Sequence, residues 1–198
     1  TLTDCTFTAN TSVYGGGMWN DDSNPTLTNC TFTDNTAAGG GGMYNYENSS
    51  PTLTNCTFTN NTANGSGGGG MVNTGSSPTL ESCTFTDNTA NYGGGGMWNY
   101  NSGNPTLTGC TFTNNTAGGG GGMLNEGSSL TLTDTTVCGN TPDQIVGGWT
   151  DNGGNWVADE CPVECPDING DGYVDVTDLL AVIDHWGLTD SPADINGD

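Results

Sequence analysis

The chain has 198 residues, 22 carboxylates and no lysine or arginine, for a formal net charge of −22. It has no basic patch to meet phosphate, which excludes nucleic acid as a partner, and an anionic membrane surface repels it. No apolar run of about 18 residues is present to enter a bilayer. Only 31% of the residues are hydrophobic, while 34 are Gly. That is thin for a conventional core, but enough for a coil whose turns stack a few inward side chains on those of the next turn.

A unit recurs along the chain with a period of about 26 residues. It begins TLT, continues NCTFTDNTA, passes through a Gly-rich stretch and closes on Met-x-Asn and a polar turn. The Leu recurs at Leu2, Leu27, Leu53, Leu80, Leu107 and Leu132. The Phe recurs at Phe7, Phe32, Phe58, Phe85 and Phe112, with Val137 in the sixth copy. Asn10, Asn35, Asn61, Asn88, Asn115 and Asn140 follow it, and Met18, Met43, Met71, Met97 and Met123 open the second block. Each Met is followed two residues later by Asn20, Asn45, Asn73, Asn99 or Asn125.

Thr, Phe and Val favour strands and the Gly clusters break helices, so the repeat is not helical. It is also short for a propeller blade of about 40 residues. One turn of a parallel β-helix remains, in an all-β fold of about six turns stacked at ~4.8 Å. Alternation turns Leu, Cys and Phe inward and their Thr neighbours outward. Because the parity changes between Leu27 and Cys30, Asn29 sits at a corner. The two recurring Asn columns read as inward ladders at bends, satisfying backbone groups left unpaired there. The expected core is therefore a set of Leu, Cys, Phe and Met columns.

The NCTFTDNTA and GGGGM blocks over residues 1–141 resemble the right-handed parallel β-helix repeats of polymorphic outer-membrane and adhesin-like bacterial proteins. That resemblance implies a secreted or surface-exposed bacterial protein without enzymatic activity. The sixth copy has Leu130, Thr135 and no Met where the others have Pro, Cys and Met, as a terminal turn does. Residues 142–164 then read as a capping segment and linker.

Cys5, Cys30, Cys56, Cys83 and Cys110 share the inward register, and the reading preferred for them is a buried thiol column. Cys138 falls on a Thr position, and a disulfide from Cys138 to Cys161 is expected to staple the capping segment onto the last turn in an oxidising compartment. Cys165 is then left over.

Residues 167–178 read DINGDGYVDVTD. Asp167, Asn169, Asp171, Asp175 and Asp178 place side-chain oxygens at calcium-loop spacing, Tyr173 offers its carbonyl, and Gly172 allows the sharp turn. Leu179, Leu180, Val182, Ile183 and Trp186 follow at helical spacing. A second copy starts at Asp194 and reaches Asn196 and Asp198. Loop, helix and partial second copy over residues 165–198 resemble the duplicated calcium module of dockerins, which implies bound Ca2+ and a protein partner.

The expected function is that of a non-catalytic structural or adhesive solenoid at the cell surface, able to self-associate head to tail as a fibre subunit. Trp19, Tyr44, Val72, Trp98 and Leu124 follow the Met column and point outward, with Tyr46 and Tyr100 nearby. Trp19, Tyr44 and Trp98 are the candidate partner-binding residues. Two alternatives stand beside it. Outward pairs such as Thr31/Thr33 and Thr57/Thr59 look like the Thr-x-Thr faces of ice-binding solenoids. A polysaccharide could also be bound by the aromatic stripe or cleaved by paired carboxylates. Asp21 and Asp22 are adjacent but sit in one unrepeated turn, and His185 lies in the calcium module's helix, so no catalytic residue is expected.

Overall fold

The computed structural model describes residues 1–162; the calcium-loop residues Asp167–Asp178 and Asp194–Asp198, the following helix and Cys165 lie outside the described residues. Residues Thr1–Cys161 form one compact unit. Its strands assemble into four parallel sheets of seven, seven, five and six strands, each of the first five turns contributing one strand to each sheet. In the second turn these are Thr26–Thr28, Thr31–Thr33, Thr36–Gly39 and Met43–Tyr46. The sheets are named here for their inward residues: Leu, Phe, Ala and Met.

Pairing is in register, residue on equivalent residue. Leu27 lies on Leu53, Phe32 on Phe58 and Met43 on Met71. The chain turns between the Leu and Phe sheets at Asn29 and between the Phe and Ala sheets at Asp34, with φ of 54° and 56°. This is the left-handed region, where Asn and Asp are the best-tolerated side chains after Gly. Gly109 and Gly139 take the same places in later turns. The corner amides still pair with the next turn, Asn29 N donating to Thr54 O at 3.0 Å and Asp34 N to Thr59 O at 3.1 Å.

The interior contains the expected Leu, Cys, Phe and Met columns, with a column of Ala37, Ala63 and Ala90 beside them. Leu27, Cys30, Phe32 and Met43 and their equivalents in the next three turns are buried. Successive Phe rings stack with centroids 4.4–4.6 Å apart and planes within 1–4° of parallel. Each such ring contributes roughly 1.5–3 kcal/mol by burial alone. The Gly pair before each Met is needed because the backbones meet there: a Cβ on Gly42 would lie 2.6 Å from Gly70 O and 2.8 Å from the Phe58 ring.

Two Asn ladders run the length of the core. Asn61 Oδ1 accepts from Asn35 N (3.1 Å) and Asn35 Nδ2 (3.0 Å). Asn61 Nδ2 donates to Phe32 O and Asn88 Oδ1, both at 2.9 Å. In the second ladder Asn45 donates to Asn73, and Asn73 to Asn99, at 2.8 Å. Gln144 ends the first ladder by accepting from Asn140 N and Nδ2. The second stops at Asn125, whose Nδ2 has no partner among the described residues. Its neighbour in the next turn is Gly147, which has no side chain to offer.

Residues 145–158, within the segment expected to cap the coil, continue its sheets. Ile145–Val146 pairs with the fifth Met-sheet strand, and Trp149–Asp151 and Trp156–Ala158 extend the Leu and Phe sheets. Cys138 and Cys161 form a disulfide with Cα atoms 4.9 Å apart, holding this partial seventh turn to the sixth.

Replacing Asn61 by Ala leaves at least two buried groups unpaired, at about 1–3 kcal/mol each. Unfolding in urea is expected to show a loss of about 3 kcal/mol or more; a loss below ~1 kcal/mol would contradict the role given to the ladder.

Candidate functional site

Because all inward columns are committed to packing, chemistry toward a ligand falls to the outward side chains. On the Leu and Phe sheets these are mostly Thr, repeated turn after turn. On the Met sheet they differ between turns. Residues at the second and fourth positions of each Met strand face out, in register: Trp19 beside Tyr44, Asp21 beside Tyr46, Val72 between Tyr44 and Trp98, and Tyr100 beside Glu126.

Trp19 is 57% exposed, and Tyr44 and Trp98 are half-buried. Val72 and Leu124 do not belong to an exposed stripe. Val72 is fully buried and Leu124 nearly so. Val72 is short and lies between two larger rings, and Leu124 lies between Trp98 and Val146. The stripe is therefore broken into two aromatic groups.

The first is an open cleft of about 230 Å³ lined by Tyr14, Trp19, Tyr44 and Tyr46. Tyr14 comes from the end of an Ala-sheet strand, just before Gly15 turns the chain into the Met sheet. Its ring meets Tyr44 edge-on, with centroids 5.4 Å apart. The Tyr44 hydroxyl and Thr74 Oγ1 share a hydrogen bond of 3.2 Å. The second group is Tyr92, Trp98 and Tyr100, with Tyr92 again at the end of an Ala-sheet strand. Here the Trp98 indole N–H donates to Glu126 Oε2 at 2.9 Å. Tyr14 and Tyr92 are absent from the expected site; a Tyr directly before the Gly run in those two turns was the available signal.

The Tyr46 hydroxyl donates to Glu47, and this bond, with the nearby charges of Glu47 and Asp21, raises its pKa above the ordinary tyrosine value. The five column cysteines are free thiols. Burial pushes the Cys30 thiol up, and hydrogen bonds with Cys110 and Cys56, together with burial, hold Cys83 protonated. Cys30, Cys56, Cys83 and Cys110 are buried, and Cys5 in the first turn is partly exposed. Among the described residues, no group of three His, Cys, Asp or Glu is placed to hold a metal ion.

The family model described as "Right handed beta helix region" matches residues 1–165. The chain belongs to the right-handed β-helix family. No curated protein and no solved structure matches it. Within this right-handed β-helix the aromatic band follows the coil axis, so its two groups are joined to one rigid scaffold.

Deprotonation of Tyr46 is expected above the pH at which an ordinary tyrosine ionises. Glu47→Gln removes the carboxylate partner and its charge, and should move that ionisation down toward the ordinary value in an ultraviolet pH titration. An unchanged titration would contradict the Tyr46–Glu47 contact.

Proposed function

We propose that the protein is a non-catalytic, extracellular structural and adhesive solenoid of a bacterial surface, attached through a calcium-binding C-terminal module. The observation that carries this reading is the exposure of Tyr14, Trp19, Tyr92 and Tyr100 along one face of a scaffold whose interior is fully committed to packing. Aromatic groups of this kind, exposed on a sheet surface, are what contact with a partner selects. A polysaccharide is the partner best suited to the aromatic band, since flat rings with polar edges meet sugar rings without needing cations. The Cys138–Cys161 bridge agrees with an oxidising, extracytoplasmic compartment.

The calcium part rests on sequence: Asp167, Asn169, Asp171, Asp175 and Asp178, with the Tyr173 carbonyl, form an all-oxygen donor set suited to a hard cation. Asp194, Asn196 and Asp198 repeat its first ligand positions. Similarity of this stretch to dockerins makes a protein partner or self-association its natural use.

Ice binding is the second reading, favoured by the in-register Thr pairs of the Phe sheet. Those pairs are half-buried in the middle turns, and Thr86 and Thr113 share a hydrogen bond of 3.2 Å along their column. The same Thr chemistry covers the Leu sheet, as outward strand residues do.

Retention of the full chain on an insoluble polysaccharide support, with calcium or with chelator, tests the proposal. Trp19→Ala combined with Trp98→Ala is expected to lower retention about tenfold or more, since buried aromatic anchors dominate such contacts. Retention unaffected by either substitution would sink the adhesive reading. Inhibition of ice recrystallisation by the same protein would transfer the function to the Thr face.

A further inference from the structure

The cleft lined by Tyr14, Trp19, Tyr44 and Tyr46 is built unlike the Phe column. The Phe rings lie flat on one another and fill space. In the cleft, neighbouring rings are turned 49°, 67° and 47° from each other, with centroids 5.4–6.4 Å apart. Their faces therefore border an open volume instead of covering one another. The face of an aromatic ring carries negative potential.

Asp21 and Glu47 lie beside Tyr46, one wall of this cleft. Asp21 faces outward beside Tyr46, in register across the sheet. Asp22 N donates to Glu47 O at 3.3 Å, which stacks two acidic residues on adjoining turns. Like charges opposed in this way repel. Elsewhere the fold avoids it: the second corner column reads Asp34, Asn60, Asp87, Asn114, each acid separated from the next by an amide. The other aromatic group has a single carboxylate beside it, Glu126, engaged by the Trp98 indole as Glu47 is by the Tyr46 hydroxyl. Trp19 has no such partner among the described residues, and the chain has no Lys or Arg to fill the cleft.

We infer that this cleft binds a small quaternary ammonium cation of the choline type, its methyl groups against Trp19, Tyr44 and Tyr14 and its charge balanced by Asp21 and Glu47. Aromatic walls with nearby carboxylates suit an alkylated ammonium, which is a cation with an apolar surface. A ligand that carries an anion next to its ammonium is disfavoured by the same carboxylates, so choline is preferred over phosphocholine. The assignment names the ligand of one part of the aromatic band, and rests on reading that band as a contact surface.

The test is titration of the full chain with choline, phosphocholine and 3,3-dimethyl-1-butanol, the neutral isostere of choline, following indole N–H signals by NMR. Choline is expected to bind saturably, about tenfold or more tighter than the neutral alcohol. It should move the Trp19 indole signal and leave that of Trp98 in place. Trp19→Ala should abolish binding, Asp21→Asn with Glu47→Gln should weaken it about tenfold, and Trp98→Ala should retain it. Equal affinity for the neutral alcohol, tighter binding of phosphocholine, or no saturable choline binding to the unsubstituted protein would overturn the assignment. If choline fails while Trp19→Ala and Trp98→Ala still reduce retention on polysaccharide, the cation assignment falls and the contact-surface reading stands. Choline binding with retention unaffected by those substitutions supports the cation site and removes the adhesive reading.

Discussion

Parallel stacking at one turn per ~4.8 Å sets each residue against its own copy, and every other feature of this coil answers to that constraint. An inward polar group must be satisfied by an identical neighbour. Asn meets the condition because its amide carries both an acceptor and donors, so Asn35, Asn61, Asn88 and Asn115 form a continuous chain of hydrogen bonds. An Asp column in the same place would set carboxylate on carboxylate, and a Leu column would remove the side-chain donors that Asn61 and Asn88 direct to the backbone carbonyls of Phe32 and Phe58. The Phe column obeys the same rule, identical rings stacking nearly parallel.

That economy shapes the outside as well. With the core fixed by a short repeated motif, outward positions vary at little cost to folding. The Thr columns leave that freedom unused, while the Met sheet carries different outward residues in successive turns. The acidic composition fits a surface that self-repels in solution, and the places where acids do stack are therefore informative.

Column identity and corner position were legible from the sequence because the motif repeats in register: Leu27, Cys30, Phe32, Met43 and both Asn ladders follow from alternation alone. The end of the sixth turn and the partial seventh were not, since Ile145, Trp149 and Trp156 keep the strands but lose the motif. Gln144 was missed as the ladder's end because it reaches Asn140 from a different place in the turn. The Ala column, with Ala37, Ala63 and Ala90 buried, was overlooked because small residues carry a weak hydrophobic signal. Val72 was misplaced because exposure depends on the size of column neighbours, which alternation does not report. Tyr14 and Tyr92 reach the Met sheet's outer face from another sheet, a contact set by the Gly turn between them.

The Asn ladders hold the turns in register. Hydrogen exchange of the side-chain amides of Asn61 and Asn88, followed by NMR, tests it most directly. If the ladders lock the coil, these protons exchange only through global unfolding, as slowly as the backbone amides of the Phe-sheet strands. Rapid exchange from a folded coil whose strand amides stay protected would show that the turns are held by the apolar columns alone.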